Sequence, residues 1–184
     1  MNFSFNVNLS DDDYLKFNYF MATESDIGKK QVLKYRILLI VAWLIGALVI
    51  LLRANFSRHV LPFLPFYLVV YLIIRLTYIP YLKWHIKRQI KSMKKNGTML
   101  YSPHTTLEFY DDFFVETTPD GRSEQKYASI KSISIIAGKA IYFHINYAMA
   151  VILPMSCFGP NAQYGDFVEF VQKKFNNVRV YDKG

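Results

Sequence analysis

One cysteine, Cys157, stands in a chain of 184 residues. It can form no intrachain disulfide and no cysteine-rich metal site, and so sparse a usage fits a reducing compartment. Histidine is nearly as scarce. The four are His59, His85, His104 and His144, and no His-x-x-x-His or Cys/His spacing joins them, so the patterns that hold zinc are missing. Gly121 and Gly138 read as turn glycines, and no glycine-rich loop of the kind that cradles phosphate occurs. Cys157 with His144 is the one conceivable nucleophile–base pair. It reads more simply as a small apolar loop cysteine and a strand histidine facing solvent. Glu108, Asp111, Asp112 and Glu116 fall at strand-surface and turn positions rather than as an acid–base pair. The successive Asp11, Asp12 and Asp13 point different ways from one helical turn, which does not make a metal site. No catalytic residue, metal or cofactor is assigned, and the chain is not read as an enzyme.

Acidic residues are also missing from two long apolar runs, 37–52 and 60–82, and from the stretch 83–97 that follows them. The first run begins too late for an export signal, and no small-x-small cleavage site follows Leu52, so it reads as a retained helix. A membrane span needs about 17–25 residues. Extension to 35–56 brings the first run to that length, with Arg36 and Arg53 able to snorkel. The second run, 60–82, is long enough as it stands. The short link through Arg53, Arg58 and His59 makes the two helices antiparallel neighbours. Lys29, Lys30, Lys34 and Arg36 precede the first span and a denser basic cluster follows the second, so both termini are expected in the cytoplasm. Pro62 and Pro65 fall in the first turns of the second helix, where proline costs little, whereas Pro80 predicts a kink. Arg75 is a charge within the second span with no acidic partner in either run. It lies about two turns, on the order of 10 Å, from the cytoplasmic end. That is near enough to snorkel to lipid phosphates; the alternative is an intramembrane contact with a partner helix or a conduction path.

The net charge of +8 has two common sources, nucleic acid and anionic membrane. Lys126, Lys131 and Lys139 are scattered, without a helix-turn-helix pattern or an aromatic platform, which argues against nucleic acid. After the second span the positive charge is concentrated. Lys83, Lys87, Arg88, Lys91, Lys94 and Lys95 lie on a helical continuation, with Ile86, Ile90 and Met93 phased onto another face and Asn96-Gly97 as the stop. Such a cluster attracts anionic headgroups at about 1 kcal/mol per cation. At the other end of the chain, residues 3–9 alternate as a strand. Ser10 and the three acids then start an aromatic amphipathic helix.

From Thr98 the texture turns to β. Strands are expected at 105–110, 113–118, 123–136, 141–146 and 149–154, with turns at Asp111-Asp112, Pro119-Asp120-Gly121, Ala137-Gly138-Lys139 and Asn146-Tyr147-Ala148. The Gly159-Pro160-Asn161 loop leads to an amphipathic helix ending near Phe175, with Phe167, Phe170, Val171 and Phe175 inward. Residues 178–181 read as a short tail strand. The expected fold is therefore α+β: a two-helix transmembrane hairpin and a small antiparallel β-roll of pleckstrin-homology-like outline, closed by a C-terminal helix. Its parts are an N-terminal strand and helix (1–34), the hairpin (35–82), the basic helix (83–97) and the β domain (98–184).

The hairpin is followed by Tyr127-x-x-Ile130-x-x-Ile133, then Ala150-Val151-Ile152-Leu153-Pro154, then Phe158 and an aromatic helix. This order resembles the YcxB-like family of bacterial membrane proteins. The resemblance covers nearly the whole chain and implies architecture and a bacterial cytoplasmic membrane location, without an activity. The family often has a basic residue after the strand-ending proline; here Met155, Ser156 and Cys157 follow Pro154. Two functions are consistent with all this. One is a membrane-anchored interaction module whose β domain is held at the inner leaflet, touching anionic lipid and a protein partner or second copy, with Gly46 and Ala47 as a small-residue face for self-association. The other is a small subunit or regulator of a membrane complex, acting through its spans and Arg75.

Overall fold

The computed structural model describes residues 2–53, 63–98, 101–146, 149–159 and 161–181. Most of the expected 53–59 link, the start of the second apolar run at 60–62 and the Tyr147-Ala148 part of one turn lie outside the described residues, as does Pro160. The element order is β1 (Phe3–Asn8), α1 (Asp11–Thr23), α2 (Asp26–Arg53), α3 (Phe63–Lys95), β2 (His104–Phe109), β3 (Phe113–Thr118), β4 (Gly121–Lys126), β5 (Ser132–Ile136), β6 (Ala140–His144), β7 (Ala150–Pro154), α4 (Asn161–Lys174) and β8 (Val178–Tyr181). The α+β reading holds: two long apolar helices precede antiparallel β-structure and a closing helix. The chain divides into two units, residues 1–17 with 96–184, and residues 18–95.

The first unit is the β domain. Its strands form two four-stranded sheets, β1-β2-β3-β4 and β7-β6-β5-β8. All neighbours are antiparallel except β8, which runs parallel to β5. The N-terminal strand pairs with β2 across the whole hairpin sequence, from Phe3↔Phe109 to Asn8↔His104. Alternation in β1 turns Phe5 and Val7 inward. Ser10 then caps α1. Its Oγ accepts from the Asp13 N–H at 3.1 Å, while the Asp13 carboxylate accepts from the Ser10 N–H at 3.1 Å, a capping box with Asp in the usual Glu position.

The core is aromatic. Phe167 of α4 is fully buried, with ring centroids 4.8 Å from Phe5, 4.9 Å from Phe109 and 6.3 Å from Phe143. Each well-oriented aromatic pair contributes about 0.5–1.5 kcal/mol beyond its area. The helix thus joins the two sheets through one ring, and Val171 and Phe175 extend the same face.

One expected strand is two. The stretch 123–136 breaks at a single 3₁₀ turn, Tyr127–Ser129. β4 before it belongs to the first sheet and β5 after it to the second. Tyr127 drives the break: its hydroxyl donates to the Tyr110 carbonyl at 2.5 Å and its ring lies 4.7 Å from Phe175. Gly138, with φ +67°, makes the β5–β6 turn, a backbone conformation that side chains resist.

The second unit holds the hairpin. Helix α2 starts at Asp26 and carries the first apolar run. Ser25 is its N-cap, with Oγ accepting from the Gly28 N–H at 3.0 Å. Gly28 is required there, because a Cβ would lie 2.6 Å from the Ala22 carbonyl carbon. Helix α3 runs unbroken through Pro80 and ends at Lys95, followed by Gly97 at φ +66°. An aromatic seam joins α2 to α3. Tyr35 stacks on Tyr78 at 3.8 Å, and Trp43 lies 5.7 Å from Tyr67 and 5.5 Å from Tyr71. The Tyr67 hydroxyl donates to the Trp43 carbonyl at 3.3 Å. Gly46 is therefore taken up inside the hairpin: a Cβ there would collide with the Tyr67 hydroxyl.

Alanine is favoured over glycine in a helix by about 1 kcal/mol, while overpacking costs about 1–3 kcal/mol. Gly46→Ala is therefore expected to destabilise the hairpin slightly and to shift Trp43 emission, read in a Trp84→Phe background in micelles. Gly46→Ala with Tyr67→Phe is expected to be at least as stable as Tyr67→Phe alone, because the colliding oxygen is gone.

Candidate functional sites

Helix periodicity places the basic residues as the sequence predicts. Lys83, Lys87, Arg88, Lys91, Lys94 and Lys95 are all exposed on the last turns of α3, while Leu82, Ile86 and Met93 are half-buried and Ile90 is buried. The cations are carried on a rigid element rather than a loop. Two are braced by aromatics: Lys83 Nζ lies 5.5 Å from the Tyr19 ring centre and the Arg88 guanidinium 5.4 Å from that of Trp84, a favourable cation–π geometry. Arg75 lies on α3 in the apolar stretch and is exposed, with Leu76 beside it 73% exposed. From Arg75 to Lys83 the helix rises about 12 Å, so Arg75 is not part of the basic cluster.

The β domain holds a second candidate, which the sequence did not reveal. A cleft of about 350 Å³ opens between the sheets, within the size range of small-molecule pockets. Val7, Leu9 and Leu107 form one wall, Val151 and Ile152 of β7 the other, and Phe17 of α1 contributes an edge. Thr105, Thr118, Gln125, Tyr101 and Glu116 supply the polar groups. Glu116, expected as a strand-surface acid, is half-buried in the lining, and desolvation raises its carboxyl above the ordinary range. The Tyr101 hydroxyl donates to Asp11 at 2.6 Å, and burial with that carboxylate raises its pKa. The cleft can receive an apolar group and read a polar one.

The expected solvent-facing His144 is buried instead, 7% exposed. Alternation puts Tyr142 and His144 on the outer face of β6, but α1 covers that face. The Phe17 ring lies 5.1 Å from Tyr142 and 6.3 Å from His144. His144 Nε2 is 2.9 Å from Ser134 Oγ, Nδ1 is buried without a partner, and desolvation lowers the pKa. Cys157 sits in a 3₁₀ turn (Met155–Cys157) beside Asn8 and Ser156, and burial raises its thiol. A raised thiol is the reverse of an activated nucleophile. His104 is exposed and faces Asn8 Oδ1 at 2.8 Å, His85 is exposed on α3, and His59 lies outside the described residues. Among the described residues no three His, Cys, Asp or Glu side chains form a group able to hold a metal ion.

Glu116 and His144 tie the domain's stability to pH with opposite signs. Glu116 binds its proton more tightly folded than unfolded, so its contribution is complete below its ordinary value of 4.5 and is lost as pH rises through the raised value. His144 binds its proton less tightly folded, so its contribution is complete above 6.5 and is lost as pH falls through the lowered value. Hydrogen exchange of β6 amides across pH is the check. Relative to wild type, Glu116→Gln is expected to gain protection as pH climbs above 4.5. His144→Gln is expected to gain it as pH drops below 6.5.

No curated protein and no solved structure matches the chain. Residues 109–171, from the end of β2 through β7 with the Tyr127 turn and Phe158 and on into α4, match the model of the YcxB-like protein family.

Proposed function

We propose that this protein is a membrane-anchored interaction module, with α2 and α3 crossing the bacterial cytoplasmic membrane as a hairpin and both termini in the cytoplasm. The β domain, a pleckstrin-homology-like roll, is presented at the inner leaflet and takes a protein partner or a second copy of the chain. Its two-sheet topology closed by α4 supports that reading, and the cleft beside Glu116 is its interaction site. The observation that carries the proposal is α3 itself. One unbroken helix passes from an apolar stretch that is long enough to span a membrane into six exposed cations with no acid among them. Large side chains on both helices stand open, such as Leu38 at 66% and Phe66 at 69% exposed. That much exposed apolar surface calls for a cover such as lipid. Lys83, Lys87, Arg88, Lys91, Lys94 and Lys95 then meet anionic headgroups at the interface.

A second reading, a subunit or regulator of a membrane complex, is favoured by one observation: Arg75 is an exposed charge within the apolar part of α3.

In vesicles carrying the full chain, spin-labelled phosphatidylglycerol is expected to be immobilised more than spin-labelled phosphatidylcholine. Replacing the six cations with Gln is expected to remove the difference; equal immobilisation by the wild type would overturn the lipid contact. A C-terminal reporter active only in the cytoplasm is expected to be active. Arg75→Leu is expected to leave partner capture unchanged, and its loss would favour the regulator reading.

A further inference from the structure

A cleft of about 440 Å³ lies within the second unit, where the apolar stretches meet the polar ends of the helices. Lys29 and Arg36 of α2 and Lys83 of α3 line it, with Glu24 from the α1–α2 corner and Val32 and Ile79 as apolar wall. Arg36 directly precedes the apolar run of α2, and Lys83 directly follows that of α3. The lining therefore brings three cations and one carboxylate to one cleft. Glu24 carries the second observation: its Oε2 is buried with no hydrogen-bond partner. A buried carboxylate oxygen without a donor is costly to leave so, and none of the three cations supplies the missing bond. No acid stands between Asp26 and Glu108 to balance Arg36 or Lys83 from within the hairpin.

A ligand that completes this set needs an anion for the cations, an N–H donor for Glu24 and an apolar body to follow Val32 and Ile79. We propose that the cleft holds the headgroup of an aminophospholipid of the phosphatidylethanolamine class. Its phosphate meets Arg36 and Lys83, and its primary ammonium donates to Glu24. Phosphatidylcholine has the same charges but no N–H to give, and phosphatidylglycerol has no cation for the carboxylate. The volume far exceeds the roughly 30 Å³ of a single water. The inference rests on the reading of α2 and α3 as membrane spans, and adds to the exposed basic face a site with a different headgroup preference.

Native mass spectrometry of the full chain, released from nanodiscs of equal phosphatidylethanolamine, phosphatidylcholine and phosphatidylglycerol, tests it. The wild type is expected to retain phosphatidylethanolamine over phosphatidylcholine by about tenfold, the worth of one charge-assisted hydrogen bond. Glu24→Gln is expected to abolish that preference while keeping phospholipid bound. Arg36→Gln with Lys83→Gln is expected to lower retention of both lipids alike. Equal retention of the two zwitterionic lipids by the wild type, or an unchanged preference in Glu24→Gln, overturns the proposal and leaves the membrane reading standing. A chain that does not enter nanodiscs at all overturns both. The wild-type comparison needs no variant to fold.

Discussion

The pairing of β1 with β2 is the constraint on which the rest of the chain depends. Six residue pairs, Phe3↔Phe109 through Asn8↔His104, join segments about a hundred positions apart. Everything between them, α1 and the whole hairpin, is thereby an insertion into one β-sheet. Within that insertion the chain turns back on itself through the antiparallel pair α2 and α3. The same pairing fixes the first turns of α1 against the second sheet, where Phe17 seals the outer face of β6.

Local pattern made the long elements legible. The apolar runs, the four-residue phasing of Lys83, Lys87, Lys91 and the inward ring set of α4 each depend on neighbours in sequence, and each is found. The Asn96-Gly97 stop and the Pro119-Asp120 turn were legible for the same reason. What escaped was decided at a distance. His144 alternates as a surface residue would, and only the N-terminal helix packed over it makes it a buried one. Residues 123–136 alternate without interruption, and it is the Tyr127 hydroxyl bound to the Tyr110 carbonyl that divides them between sheets.

The candidate sites divide along the same line. The basic face is a one-helix property, so composition and phasing locate it. The Glu116 cleft needs two sheets and α1, and the Glu24 cleft needs a helix corner, α2 and α3. Glu24 carries no sequence signal beyond being an isolated acid beside a basic segment. Gly46 is a further case. A mid-helix glycine suggests a face for another helix, but here the space it leaves is filled from within by Tyr67.

Helix α3 is a single rod of 33 residues, about 50 Å long, against a hydrocarbon core of about 30 Å. Stiffness over that length has a mechanical consequence. Rotation imposed on the apolar portion reaches the basic face through the helix alone, because no loop intervenes. Compliance is concentrated at Pro80, which cannot donate to the Leu76 carbonyl and so removes one rung of the ladder. That softened rung lies between Arg75 and Lys83, making it the natural pivot between the apolar and basic ends of the rod.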